Sequence, residues 1–303
     1  MRWRLRSLPA PTPSFRAKRE ELRRVRALGH DLGRRDPVFD VNGKLDAHAW
    51  ADRLGVRHAT LLAQVPEAGQ LPWSTFPEVF VIKPVRGAAS DGVHMLRREG
   101  RHLRSLKLDQ QLTEQDVTEN LRALSATGRI SSDLLVEEMV VDPRRAHEGP
   151  VDWKFSTFFG EVGLVEAKVS VAGGKPRWKL FDENWDDLGD GWVDHHVLAD
   201  GLQPPVHAAE LMETARRISA SVPRPFLRVD LYDSVDGPVF GEITPAPGGP
   251  RGFRRDIDHK LGRLWEEADA RLLVRAVDSG LISPADAPLP ESALRPMRHS
   301  RLS

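Results

Sequence analysis

The 303-residue sequence contains no cysteine. That absence removes disulfide scaffolds, thiolate metal sites and cysteine nucleophiles together, and it fits a reducing compartment such as the cytoplasm. Net charge is absent too, because 44 Lys and Arg residues balance 44 Asp and Glu residues. A neutral chain lacks the bulk field that gathers nucleic acid or an acidic membrane, so neither is expected as a partner. No apolar run approaches the ~20 residues that span a bilayer. The basic, Pro-rich opening Met1–Pro13 also lacks the apolar stretch of a signal peptide. There is no internal repeat. What is present, 40% hydrophobic and 29% charged residues, is the composition of a globular chain. At roughly 100–200 residues per domain it suggests about two domains or one large multi-part unit.

Periodicity predicts helices at Phe15–Leu28, Asp46–Leu54, Thr113–Ala126, His207–Ser221 and about Ile257–Val277. The first is crowded with Arg, Lys and Glu, with Leu22, Val25 and Leu28 on one face, and reads as a solvated amphipathic helix. Strands are expected at Arg57–Ala63, Val79–Lys83, Val93–Leu96 and Leu134–Val141. Three further segments, Asp152–Phe159, Val162–Val171 and Lys175–Phe181, are separated by Gly-bearing turns and suggest an antiparallel meander. Phe226–Tyr232 and Val239–Ile243 form a hairpin across Asp236-Gly237. Strands and helices so mixed indicate the α+β class. The Pro-rich tail after Ser283 shows little periodicity.

Chemistry concentrates at a few strand positions. Alternation places Arg228 with Asp230 on one strand face and Glu242 with Thr244 on one face of its neighbour. Two carboxylates and a hydroxyl form a hard-oxygen set suited to Mg²⁺, which keeps several waters and bridges phosphates. The bland alternative is an ion pair between Arg228 and the carboxylates. Lys83 ends an apolar strand and precedes the small-residue loop Arg86–Gly92, in which Gly87 and Ser90 let backbone amides approach an anion. The P-loop ending Gly-Lys-Ser/Thr is missing. Glu137, Glu138, Met139 and Val140 offer backbone groups on an extended strand edge for an adenine, with a carboxylate near the ribose. Asp152 and Lys154 share one strand face, where Lys154 is a point charge for a phosphate.

Each of these alone is weak; their order along the chain is specific. Val81-Ile82-Lys83-Pro84, Leu135-Val136-Glu137-Glu138, Val151-Asp152-Trp153-Lys154-Phe155, Leu227–Tyr232 and Phe240–Gly248 together resemble the TupA-like branch of the ATP-grasp superfamily, over roughly residues 38–273. Lys179–Trp185 is similar to a family stretch after the meander, and Asn42-Gly43-Lys44 to its N-terminal Lys motif. The sequence departs from the family at Ala88-Ala89, where the family is richer in Gly. It also carries Thr244 where the wider superfamily has a metal-binding Asn.

The resemblance implies an ATP-grasp fold with ATP held between two α+β subdomains. It implies that Lys44, Lys83 and Lys154 hold ATP, that Glu137–Val140 line the adenine, and that Asp230, Glu242 and Thr244 bind Mg²⁺. Arg228 and Lys154 would be catalytic, Arg228 by neutralising charge on the transferring phosphoryl group or on a later oxyanion. The expected activity is ATP-dependent joining of a carboxylate, small or glycan-linked, to the amine of an amino acid or peptide through an acyl phosphate. The setting would be cell-surface polymer or specialised-metabolite biosynthesis. A phosphotransferase on the same scaffold and a non-catalytic nucleotide- or glycan-binding module stay open. The division expected is 1–70 for the basic helix and a small N-terminal unit, 71–133 for a lid unit, 134–283 for the metal-bearing unit, and 284–303 for a loose tail. Lys168, Lys175, Arg177, Lys179, Arg251, Arg254 and Arg255 are further candidates for anion binding. His195 and His196 lack the spacing of a zinc site.

Overall fold

The computed structural model describes residues 12–33, 44–87, 90–146, 148–194, 196–247 and 252–281. Asn42-Gly43, Ala88-Ala89, His195, Gly248, Arg251 and the tail after residue 281 lie outside these residues, as does most of Met1–Pro13.

Twelve strands and five α-helices lie in the order α1 (Phe15–Asp31), α2 (Lys44–Arg53), β1 (Leu61–Val65), β2 (Val79–Pro84), β3 (His94–Glu99), β4 (His102–Ser105), β5 (Gln110–Leu112), α3 (Glu114–Ala126), β6 (Leu134–Glu138), β7 (Asp152–Phe158), β8 (Glu161–Val169), β9 (Arg177–Phe181), β10 (Val197–Leu198), α4 (Ala208–Ser221), β11 (Leu227–Ser234), β12 (Gly237–Thr244) and α5 (Arg255–Asp278). The strands form two six-stranded sheets, ordered β1-β6-β2-β3-β4-β5 and β10-β9-β8-β7-β11-β12. The pairs are antiparallel apart from β9 with β10. The class is α+β, as the sequence indicates.

In the first sheet, β2 alternates strictly: Phe80 and Ile82 are buried while Val81 and Lys83 face the other way. Phe80 and Ile82 join Leu96, Leu103 and Val136 under Val117 and Leu121 of α3. Thr113 caps α3 reciprocally with Asp116, satisfying two backbone donors that the helix start would leave open. The sheet takes strands from Leu61 to Glu138, so it draws in β1 and β6 from either side of the 71–133 span.

The second sheet buries Trp153, Phe155, Val165, Val229, Leu231 and Phe240 against α4 and α2. Its opposite face changes character along the strands. At one end Phe158, Leu164, Trp178 and Leu180 pack with Phe226, Phe253 and Trp265. At the other, the same alternation places Asp152, Lys154, Glu166, Arg228 and Asp230, with register pairs Lys154↔Glu166 and Asp230↔Lys154. The charged end is therefore a continuation of an aromatic core face.

Helix α1 departs from the expected solvated helix. Val25 and Leu28 are 61% and 59% exposed, whereas Phe15 is 2% exposed within the aromatic cluster and Leu22 packs at its margin. Phe15 meets Phe226 edge-on, with centroids 5.1 Å apart, and Trp265 at 5.8 Å. Gly262 of α5 permits this docking: a Cβ there would lie 2.6 Å from the Ser14 backbone nitrogen. One aromatic side chain at the N-terminal end, rather than the leucine-rich stripe, fixes the helix.

The strand expected at Arg57–Ala63 begins at Leu61, because its first residues tie the sheets together. Arg57 O accepts from Phe240 N at 2.7 Å at the edge of the second sheet, and Thr60 O accepts from Glu138 N at 3.0 Å in the first. Strands β4, β5 and β10 are short and were not expected; their few residues carry little alternation to read.

Candidate active site

The hairpin of β11 and β12 sets the site. Arg228 lies opposite Thr244 and Asp230 opposite Glu242, the convergence that alternation predicts. Beyond Asp230 the register shifts, with Leu231 opposite Phe240, so Gly241 is an extra residue. A Cβ on Gly241 would sit 3.0 Å from both Asp230 O and the Tyr232 ring, so the bulge needs glycine for close approach.

Arg228 donates from Nε to Asp230 Oδ1 at 2.6 Å and from Nη2 to Oδ2 at 2.7 Å. The same Nη2 reaches Glu242 Oε1 at 3.1 Å and Thr244 Oγ1 at 3.0 Å. From β7, Lys154 Nζ meets Asp230 Oδ2 at 2.5 Å and Asp152 Oδ2 at 2.7 Å. Three acids and two bases thus interlock, with Asp230 only 2% exposed at the centre.

Electrostatics follow from that packing. Burial pushes the Asp230 carboxyl up, but Arg228 and Lys154 outweigh it and hold it at about 2. Burial likewise pushes Lys154 down, and Asp152 and Asp230 reverse this so that its ammonium is raised. Glu242, half exposed, is raised by partial desolvation and by Asp230, against Arg228 and Lys154.

The first sheet contributes a second ion pair. Lys83 Nζ meets Glu137 Oε2 at 2.6 Å, and Glu137 is 4% exposed. His48 of α2 approaches Glu137 Oε1 at 3.6 Å and stacks on His58, with ring centroids 4.2 Å apart. Burial first, then the charge of Lys83, lowers the His48 imidazole to about 4, so it is neutral at pH 7. Tyr232 connects the two sets: its hydroxyl is raised by burial and by Asp152, Glu242, Asp230 and Glu137, carboxylates from both sheets. Residues carrying all the principal strand motifs therefore face one centre.

Other expected positions fall out differently. The four residues Glu137–Val140 were expected on a strand edge, yet β6 runs between β1 and β2 in the sheet interior. The Glu138 amide is bonded to Thr60 O, so only Met139 and Val140 lie past the end of the ladder. The phosphate-cover loop is anchored at both sides of its small residues: Gly87 bridges to Ile130, and Ser90 O accepts from Lys107 Nζ at 2.9 Å. Ser90 takes φ of 66°, unusual for a non-glycine residue. Lys44 starts α2, and its side chain lies outside the description. Lys179 is committed to Asp187 at 2.9 Å and Leu202 O at 2.9 Å, and Arg254 to Asp256 at 2.8 Å. Lys168 lies 5.9 Å from the Trp178 ring centroid, while Lys175 and Arg177 stand exposed on the meander.

Residues not singled out from sequence also join the site. Tyr232 continues the alternation of Arg228 and Asp230, a signal that was readable. Glu166 and Ser156 share the face by the same rule on β8 and β7. Arg19 lies on α1, and no local pattern ties that helix to the sheet.

The donors fit Mg²⁺ chemically. They are hard oxygens, and Asp152 Oδ1 is buried with no hydrogen-bond partner. Among the described residues no three His, Cys, Asp or Glu side chains form a set able to hold a metal alone. A cation here would take much of its shell from water and bound phosphate.

Comparison with known proteins agrees with the motif order. The family model described as TupA-like ATPgrasp matches residues 64–266, well over half of the chain. No curated protein matches. Among solved structures, D-alanine-D-alanine ligase from Helicobacter pylori is 15% identical with a TM-score of 0.42, over 74% of this chain and 57% of that one. The ATP-grasp ligase PsnB, in complex with a phosphomimetic variant of its minimal precursor, Mg and ADP, is 12% identical with a TM-score of 0.44, over 78% of this chain and 60% of that one. D-alanine–D-alanine ligase from Bacillus anthracis is 14% identical with a TM-score of 0.44, over 76% and 67%. The chain thus spans under two thirds of the length of the first two. Among the described residues no helix is long and apolar enough to cross a membrane.

Proposed function

The chain belongs to the TupA-like ATP-grasp family, and from that membership and the charged cluster we propose that it is an ADP-forming ligase joining a carboxylate to an amine. The observation that carries this reading is Arg228 bridging Asp230, Glu242 and Thr244 beside Lys154, opposite the Lys83–Glu137 pair.

Nucleotide lies between the two sheets. Lys83 and Lys154 neutralise its phosphates, with Lys44, Gly87 and Ser90 beside them and Asp152 orienting Lys154. Glu137 to Val140 line the adenine and ribose, Met139 and Val140 supplying the backbone groups past β6. Mg²⁺, held by Asp230, Glu242 and Thr244, supplies charge neutralisation at the phosphates when bound.

The substrate carboxylate attacks the γ-phosphorus; a P–O bond forms, the bond to ADP breaks and ADP leaves. The amine nitrogen then attacks the acyl carbon, a C–N bond forms, and phosphate departs with the C–O electron pair and the proton the amine gives up. Catalysis of this kind is positioning plus charge stabilisation. Arg228, fixed by three oxygen-bearing partners, is preorganised to meet the negative charge that develops at each step. The amide product serves cell-surface polymer or specialised-metabolite assembly in the cytoplasm.

The test is phosphate release from Mg-ATP with panels of acids and amines. Release that needs both substrates and falls away in Arg228→Ala supports a ligase. A stable phosphorylated acid formed without amine identifies a phosphotransferase instead, and no turnover or nucleotide binding under any condition identifies a binding module.

A further inference from the structure

Helix α1 does more than cover the aromatic cluster. Phe15 and Arg19, one helical turn apart, project from it onto the site face of the second sheet. Between them and the sheet is a cavity of about 70 Å³, room for roughly five waters at ~10–15 Å³ each. Arg228 is one of its walls. The guanidinium that grips Asp230 and Glu242 on one side therefore borders this cavity on the other, next to where the acyl carbon would react.

The chemistry of the walls is mixed in a specific way. Arg19, 8% exposed, is anchored by donating from Nη2 to Pro247 O at 2.8 Å, and its guanidinium lies 5.7 Å from the Phe15 ring centroid. Glu166, 5% exposed, contributes a carboxylate, and Ser156 a hydroxyl. The remaining lining includes the rings of Phe226 and Phe253. A site for a plain carboxylate has no use for a buried acid, and one for a plain amine has none for Arg19. A space with both charges, a hydroxyl and aromatic walls matches a zwitterion with a small side chain.

We propose that this cavity holds a small free α-amino acid as the amine substrate, its carboxylate directed to Arg19 and its amino group to Glu166, with Arg228 alongside the reacting carbon. The assignment rests on the ligase reading above and adds to it the class of amine and the role of the N-terminal helix. Aromatic walls exclude bulk water, which strengthens both ionic contacts and guards the activated acid from hydrolysis.

Isothermal titration of the full chain separates the two readings. Mg-AMPPNP alone reports the nucleotide cleft. Glycine and L-alanine, titrated in its presence, report the cavity, with acetate and methylamine as single-ended controls. The expected result is that glycine or L-alanine binds, that acetate and methylamine bind at least tenfold more weakly, and that Arg19→Gln and Glu166→Gln each weaken amino-acid binding at least tenfold while Mg-AMPPNP affinity stays within twofold. Amino acids that fail to bind a protein that takes up Mg-AMPPNP, or that bind both variants as well as wild type, overturn the proposal. Acetate binding as tightly as L-alanine overturns it too, and reassigns the cavity to the carboxylate donor. Loss of Mg-AMPPNP binding in wild type with amino-acid binding intact defeats the ligase reading and leaves the amino-acid site standing. If Arg19→Gln does not fold, Glu166→Gln, nearly isosteric, carries the test.

Discussion

Arg228 holds Asp230 by both carboxylate oxygens, at 2.6 and 2.7 Å, while Lys154 takes a second position on one of them. This pairing of i and i+2 residues on one strand face has an energetic consequence. Removing Asp230 strands two cations in a desolvated site, so Asp230→Ala should destabilise the fold by roughly 3–5 kcal/mol. Urea denaturation monitored by tryptophan fluorescence measures it; a loss below 1 kcal/mol would mean that the two cations reach solvent.

Acid should unfold the protein through two groups acting in different windows. Asp230, held at about 2 against an ordinary 3.8, contributes stability present above pH 4 that is lost as pH falls toward 2. His48 has its imidazole lowered from 6.5 to about 4, so between those values the unfolded chain takes up a proton that the native chain refuses. Stability therefore drops as pH falls through that window, and His48→Gln should flatten the drop between pH 6.5 and 4. Equal slopes in the two proteins would assign the acid sensitivity elsewhere.

Phe15 anchors α1 among Phe158, Phe226, Phe253 and Trp265. Truncating it opens a cavity in close-packed rings, and Phe15→Ala should cost about 3–5 kcal/mol, read as a fall in Tm. Val25→Ala, on the exposed half of the same helix, should leave Tm almost unchanged.

Gly241→Ala places a methyl 3.0 Å from Asp230 O and from the Tyr232 ring. Backbone cannot yield as a flexible side chain does, so the bulge should shift at a cost of about 1–3 kcal/mol. Because that bulge sets the register of Glu242 against Asp230, turnover should fall by more than stability alone explains, measured at a temperature where the variant is fully folded.

Lys83→Ala should abolish nucleotide stabilisation. A ligand at 100 times its Kd raises unfolding free energy by about 2.7 kcal/mol. Wild type should show the corresponding Tm rise with Mg-ATP, and the variant little or none. An undiminished rise in the variant would remove Lys83 from the phosphate site.

Much of the site was legible because strands convert sequence into geometry by a rule of two. Arg228 with Asp230, Glu242 with Thr244 and Asp152 with Lys154 needed only alternation and one hairpin turn to converge. Tyr232 obeys the same rule and was readable. The edge reading of Glu137–Val140 failed for a different reason. Whether a strand is an edge depends on which other strands pair with it, and β1 reaches β6 across some seventy residues of sequence.

The sequence by itself determined the α+β class, the hairpin and its acids, and the order of motifs that marks the family, since each depends on local periodicity or nearest-neighbour pairing. Only the tertiary structure decided that His48 sits against Glu137, that residues 57–60 tie one sheet to the other, and that Phe15 and Arg19 turn a helix rich in surface charge into a wall of the site. Those contacts join segments up to some two hundred residues apart, and they are selected by shape and burial in the assembled core, which no local pattern encodes.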